Sequence, residues 1–592
     1  MKTEWNLDVL YQGYEDPKFT NDLKRFEEIC KKLNELASKI QGDEIKVEKA
    51  VVNQIVDAWE EKFELESELA IYCGLCQSTN TSDPQSASYL GVISKKSSDC
   101  AKAEAVIQKY LAKIEDVDQF TEGDERLTDY RYLLNNLKEE ASHLLSNEAE
   151  EVVAKMDITG SMAWGNLQEY LTSSVKVDYK GEQKTLSEIR NLAYDEDPIV
   201  RKEAYEAELA CYDKIKGSIA FALNSIKGQV NELSKLRGYE SPLEMTLSKS
   251  HMKRATLDAM LSAIQDYLPV FHKYLRKKGE FLGEQKGLSW FNLFAPIGEA
   301  EKKYTIEEAR DYLISHFSTF SADLTEMVAK AFDEEWIDVY PKSGKVGGAF
   351  CCNLQTKKQS RVLTNFDGSL SDIVTLAHEL GHAYHNKNIH SHRMFNTDYS
   401  MPVAETASTF NENVILNAAM KEANEKDRFA LLEGQLQDLT QIICDIYSRY
   451  LFETEVFEQS KEKFLFPEEL EKIMLESQKK AYGDGLNHDY LHPYMWVCKG
   501  HYYSGSTSFY NFPYAFGGLF ARGLYARYLE VGEAFLPKYR ELLHATTISS
   551  VEDVAAYADI DLTKPEFWKD ALKQVENQIE EFVRLADKYG KL

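Results

Sequence analysis

The chain is short of the residues and segments that break, cross-link or export a protein. Only 13 of its 592 residues are proline, so long uninterrupted helices are open to most of the sequence. Its 9 cysteines are an odd number with no framework spacing, which argues against a disulfide-built secreted domain and for reduced thiols. Cys73 and Cys76 form a lone CxxC, without a second pair or a strand-to-helix setting, and carry no redox or metal expectation. No apolar run approaches the length of a membrane span, and the opening MKTEWNLDVLYQGYEDPKF lacks the apolar core of a secretory leader. A cytoplasmic location is therefore expected. Positive charge is also in deficit: 69 Lys and Arg stand against 97 Asp and Glu, for a net charge of -28. Such a chain repels nucleic acid and anionic membrane surfaces, so neither is expected as a partner. The sequence shows no short-period repeat and no low-complexity linker.

What is present is helical pattern. The stretch DPKFTNDLKRFEEICKKLNELASKIQ repeats Phe26, Cys30, Leu33 and Leu36 at helical spacing between charges. The segments DAWEEKFELESELAIYCGLC, DPIVRKEAYEAELACYDKIKGSIAFALNSIKGQVNELSKL and QVENQIEEFVRLADKY behave alike. The length suggests two or more lobes, although one large helical body is possible. We expect a helical N-terminal lobe over 1–190 and a second region over 191–592. One stretch breaks the pattern. From Trp336 to Asn365 the chain is rich in Gly, β-branched residues and turn signals, and reads as a few short strands.

The next segment, DGSLSDIVTLAHELGHAYHN, begins a helix, with Ser371 as N-cap and Asp372 at the positive end of the dipole. His378 and His382 lie one turn apart on one face, where two imidazoles can reach a single ion. Glu379 follows about 100° further round the helix. From there it reaches a water on the ion rather than the ion itself, which is the placement of a general base. The bland alternative is a helix that happens to carry two surface histidines. Against it, Leu376, Leu380 and Ala383 can face a core, and Gly381 permits close approach of another element.

A catalytic zinc takes three protein ligands and keeps the fourth position for water. After the loop NIHSHRMFNTDYS, the segment MPVAETASTFNENVILNAA reads as a second helix, with Ser400 as cap and Pro402 in its first turn. Glu405, in the following turn, is expected as the third ligand. Glu412, two turns on along the same face, is expected to orient a ligating imidazole. His385, His390 and His392 are competitors for the metal. A His, His, Glu set suits hydrolysis better than a structural zinc. Zinc lowers the pKa of its water to about 7, Glu379 takes the proton, and the same carboxylate protonates the leaving amine. The oxyanion needs donors, and His501 to Gly518, HYYSGSTSFYNFPYAFGG, offers a histidine with Tyr502, Tyr503, Tyr510 and Tyr514 around Phe509. A single tyrosine here is as well explained by core packing; the group with His501 points to the site.

These residues carry a resemblance. SGKVGGAFCCN, LTNFDGSLSDIVTLAHELGHAYH, PVAETASTFNE and HYYSGSTSFYNFPYAFGG, in this order, resemble the oligoendopeptidase F branch of the thimet-oligopeptidase-like zinc metallopeptidases. WNLDVLYQGYED and VRKEAYEA…ALNSIKGQV look like the N-terminal half of the same family, so the resemblance covers nearly the whole chain. It implies a mostly α, two-lobed helical body, a deep substrate channel with one Zn2+ at its floor, and a small β-sheet beside the zinc-site helices. It implies cleavage of short unstructured peptides and exclusion of folded proteins. Metal falls on His378, His382 and Glu405, with Glu379 as base. Donors fall on His501 and, among the tyrosines, on Tyr510 and Tyr514, with Tyr503 behind them near the substrate. Phe509 and Phe512 stand where relatives can carry tyrosine. Gly347, Gly348, Ala349 and Phe350 read as a strand edge that could pair with an extended peptide. Two rivals stay open: an exopeptidase, which needs a clamp for a terminal carboxylate that no position identifies, and a non-catalytic peptide-binding scaffold. The sequence leaves oligomeric state open.

Overall fold

The helices start where their caps dictate. The first, α1 (Pro17–Ile40), opens on Asp16, whose side chain accepts from Lys18 N–H, with proline at the first position. Its apolar stripe, including Phe26, Cys30, Leu33 and Leu36, is buried. It packs against α2 (Lys49–Thr79) and α3 (Pro84–Leu111). This is a computed structural model, and it describes residues 2–42, 45–298 and 302–590.

Apolar side chains gather into two clusters. The smaller runs from Leu10 to Leu137 and adds Leu354. The larger starts at Val175 and extends to Ala586. Val175, Val177, Tyr179, Leu186 and Ile189 belong to the larger one, and a seam separates the two cores. A hairpin, β1 (Lys176–Tyr179) and β2 (Glu182–Thr185), opens the larger body. Inside it α4 (Arg254–Phe281) packs along the C-terminal helix.

Cys30 of α1 and Cys100 of α3 face each other, their Cα atoms 5.7 Å apart. Two helices packed face to face bring the pair together without any sequence spacing to announce it. Cys73 and Cys76 are free and lie within α2. No helix among the described residues is long and apolar enough to cross a membrane.

The strand-rich stretch is a three-stranded sheet of order β3-β5-β4. The central β5 (Gln359–Leu363) runs parallel to β3 (Ile337–Asp338) and antiparallel to β4 (Phe350–Leu354), with Phe350 opposite Leu363. Leu354 enters the smaller core while Val362 enters the larger. The sheet therefore sits on the seam, and α5 (Leu370–Ile389) lies against it.

The cap of α5 is Ser369, not Ser371. Ser369 Oγ accepts from Asp372 N–H at 3.1 Å and Asp372 Oδ2 accepts from Ser369 N–H at 3.0 Å. This reciprocal box needs a residue three before Asp372, which leaves Ser371 inside the first turn. The next helix also starts later than its pattern suggests. Ser400 and Pro402 form a short 3-10 turn, Met401–Val403, and α6 (Thr406–Glu422) has Glu405 at its N-cap. Its carboxylate makes no cap hydrogen bond and is free to turn elsewhere.

Helices α5 and α6 touch at Gly381. A Cβ there would stand 2.5 Å from Ala407 O and 2.5 Å from Ser408 Cα. Gly381→Ala must force the helices apart, since backbone atoms cannot yield as a side-chain tip can. Overpacking of this kind costs about 1–3 kcal/mol, against about 1 kcal/mol gained in helix propensity. Urea unfolding is expected to show a net loss of stability; an unchanged midpoint would show that the contact tolerates a methyl.

Candidate metal centre

The register of α5 and the turn before α6 bring three side chains together. Ligand atoms of His378, His382 and Glu405 all lie within 4.8 Å of one another. Glu405 Oε2 is 3.3 Å from His378 Nε2 and 3.4 Å from His382 Nε2. The two rings stand edge to face, centroids 4.9 Å apart. His378 turns its other nitrogen, Nδ1, to Glu412 Oε1, which fixes Nε2 toward the cluster. Ser408 Oγ donates to Glu405 Oε2 at 2.7 Å, and Asn411 Nδ2 donates to Ala377 O at 3.3 Å, tying α6 to α5.

The electrostatics follow from this packing. Burial alone would push His378 down, but hydrogen bonds to Glu405 and Glu412 outweigh it and raise the imidazole to about 10. Burial likewise opposes ionisation of Glu405, yet its bonds to both histidines hold it well below the usual carboxylate range. Glu379 is 6% exposed. Burial pushes its carboxyl up, and the neighbouring imidazoles pull it part of the way back. It lines a cavity of about 490 Å³ together with His378, His382, Glu405, Ala349 and Phe350.

The competing histidines are engaged elsewhere. His385 is fully buried, bonds Thr546 Oγ1 through Nε2 at 2.8 Å and stacks on Tyr399. His390 Nε2 meets Asn353 Oδ1 at 3.1 Å, and His392 meets Thr547 and His544. Gly347 and Gly348 are exposed, and Ala349 and Phe350 lead into the edge strand β4 at the cavity wall.

His501, Tyr510 and Tyr514 form a second group. Ring centroids are 5.1 Å apart for His501 and Tyr510, 5.8 Å for His501 and Tyr514, and 5.5 Å for the two tyrosines. Tyr514 lies on the helix Phe512–Val531, and a Cβ on Gly517 of that helix would stand 3.2 Å from Glu405 Cβ. The missing side chain at Gly517 thus lets the tyrosine helix close on Glu405. Burial, then Arg449 and Lys499, hold His501 below its ordinary pKa. Arg449 Nη1 donates to His501 Nδ1 at 3.4 Å, which leaves the proton of the neutral ring on Nε2. Tyr503 is placed apart. It is 6% exposed, and its hydroxyl donates to Trp496 O at 2.7 Å, so it supports the loop rather than facing the cavity of Glu379.

Ser408, Cys351 and Arg449 were not singled out from sequence. Ser408 stands one turn from Glu405 and was within reach of a spacing argument. Cys351, which lines the cavity, and Arg449 carry no local signal.

The model of peptidase family M3 matches residues 191–574. The chain belongs to peptidase family M3. An Oligopeptidase F model matches residues 112–176. Oligopeptidase PepF of Bacillus subtilis is 27% identical over 499 residues, covering 82% of this chain and 73% of that protein. Group B oligopeptidase PepB of Streptococcus agalactiae is 26% identical over 497 residues, covering 82% and 80%. The crystal structure of oligoendopeptidase-F from Enterococcus faecium superposes with a TM-score of 0.70 at 20% identity, covering 96% of this chain and 99% of that one. That likeness establishes the mostly helical fold. This M3 protein is a metallopeptidase of the oligoendopeptidase type, acting on peptides.

Proposed function

We propose that this M3 peptidase is a zinc-dependent endopeptidase that cuts internal bonds of short unstructured peptides. The observation that carries the reading is the convergence of His378, His382 and Glu405 within 4.8 Å, with Glu379 lining the same cavity. Two imidazoles and one carboxylate match a catalytic zinc, and Glu412 supplies the outer carboxylate such a histidine needs. Zinc, when bound, polarises the scissile carbonyl and acidifies water. Glu379 takes the proton of the attacking water and passes it to the leaving amine. His501, through Nε2–H, and the phenols of Tyr510 and Tyr514 donate to the developing oxyanion. Substrate backbone pairs along the free edge of β4 at Ala349 and Phe350, which reads main chain rather than side chains. A buried base at the wall of a small cavity favours extended chains over folded surfaces.

The test is mass spectrometry of products from a mixture of unstructured peptides, about 6–20 residues long, with and without a chelator. Internal cuts that vanish with chelator are expected. Stepwise loss of C-terminal residues or dipeptides would establish an exopeptidase instead. An absence of cuts from metal-loaded protein would leave the scaffold.

A further inference from the structure

The loop that carries Tyr510 is gripped by an ion pair buried in the catalytic body. Glu453, on the helix Ile446–Gln459, meets Lys227, on the helix Lys216–Leu236, at 2.7 Å, and both side chains are 1% exposed. Charges so buried recover their desolvation only when their other polar atoms are well bonded. Glu453 directs both oxygens to one short stretch. Oε1 also accepts from Phe509 N–H at 3.0 Å, and Oε2 accepts from Asn511 Nδ2 at 2.8 Å. Tyr510 is the residue between them.

That stretch does not hold its shape unaided. Phe509 has φ +54°, a left-handed conformation that is unfavourable for a bulky side chain. Asn511 N–H donates back to Phe509 O at 2.7 Å, closing a tight turn on Tyr510. The Phe509 ring is 2% exposed and stacks on Phe457 at 5.4 Å. Lys227 Nζ lies 4.6 Å over that same Phe457 ring. Asn511 Oδ1 accepts from Phe512 N–H at 2.6 Å, tying the turn to the helix of Tyr514.

We propose that the Lys227–Glu453 pair is a positioning device for Tyr510. It holds residues 509–511 in a strained turn that keeps the phenol beside His501. Apolar residues of similar volume would serve stability as well or better, but they could not accept from a main-chain and a side-chain amide at once. The inference rests on the reading of Tyr510 as an oxyanion donor.

Phe509 N–H and Asn511 Nδ2 face different oxygens of Glu453, and glutamine replaces one of the two with an NH2 donor, so one of these donors loses its acceptor. Lys227→Met removes the ammonium that Glu453→Gln would strand. The neutral double variant Lys227→Met/Glu453→Gln is expected to lower kcat on the order of 10²-fold, with KM and metal content unchanged. Asn511→Ala, which removes one grip and buries no charge, serves as the second variant should the first not fold. Each is measured alone and together with Tyr510→Phe. The proposal expects Tyr510→Phe to lower kcat and the clamp variant to add nothing to it, because its effect passes through the phenol. Losses that multiply would overturn the proposal and make the pair a general structural support. Full kcat in the clamp variant would overturn it too. Full kcat in Tyr510→Phe itself would instead remove Tyr510 as a donor, and the device with it.

Discussion

Turnover of Glu379→Gln is expected to fall about 10²–10⁴-fold while the protein keeps its metal. That loss corresponds to about 2.7–5.4 kcal/mol in the barrier at 1.36 kcal/mol per tenfold. Glutamine fills the same space and accepts hydrogen bonds, but it cannot take a proton from water. Glu379 stands outside the trio His378, His382 and Glu405 that could hold an ion, so its amide should not weaken metal binding. At 6% exposed and at the wall of the cavity, it is placed to meet a water held there and little else. The substitution removes the base at every pH, so the loss is expected across the whole profile. Glu379→Asp keeps the carboxylate but draws it back by one methylene, and is expected to recover part of the rate. The measurement is kcat on an internally quenched peptide beside elemental analysis of the same sample. Metal lost with Glu379→Gln would make Glu379 a ligand, and unchanged turnover would leave the base unassigned.

The residues legible in the sequence were those whose neighbours are fixed by helical period. His378 and His382 share a face because they are one turn apart, and Glu412 reaches His378 because it lies two turns beyond Glu405 on one helix. Gly381 signalled a close approach, and the approach is Ala407 and Ser408. The cap of α5 is not legible because two serines precede Asp372, and only the one three residues earlier can exchange hydrogen bonds with it. The segment of Glu405 is legible but its local structure is not, since a 3-10 turn and a full helical turn look alike around Pro402. Tyr503 shows a further limit. The resemblance sets it behind Tyr510 and Tyr514 but near the substrate, and the Trp496 carbonyl that takes its hydroxyl shows it supporting the loop instead. Contacts between distant segments left no trace at all. Nothing local links Arg449 to His501, Cys30 to Cys100, or Lys227 and Glu453 to Phe509.

Glu405→Ala is expected to empty the site and abolish turnover without unfolding the chain. Glu405 Oε2 is the atom that both imidazoles face, at 3.3 and 3.4 Å. Losing an outer carboxylate around a metal typically costs about 10–100-fold in affinity; losing one of three direct ligands costs more. The fold should survive, because the packing against Gly517 is made by the Cβ of Glu405, which alanine keeps, and the carboxylate contributes no helix cap. A ligand that binds only the native state raises stability by RT ln(1 + [L]/Kd). Added zinc should therefore raise the unfolding midpoint of the wild type and leave that of Glu405→Ala where it was, each compared with its own metal-free form. His378→Ala and His382→Ala should behave the same way. Asp398 and Glu379 are the other carboxylates that line the same cavity. Equal stabilisation of wild type and Glu405→Ala by zinc would overturn Glu405 as a ligand, and Asp398→Ala and Glu379→Gln would then be the variants to measure for lost metal.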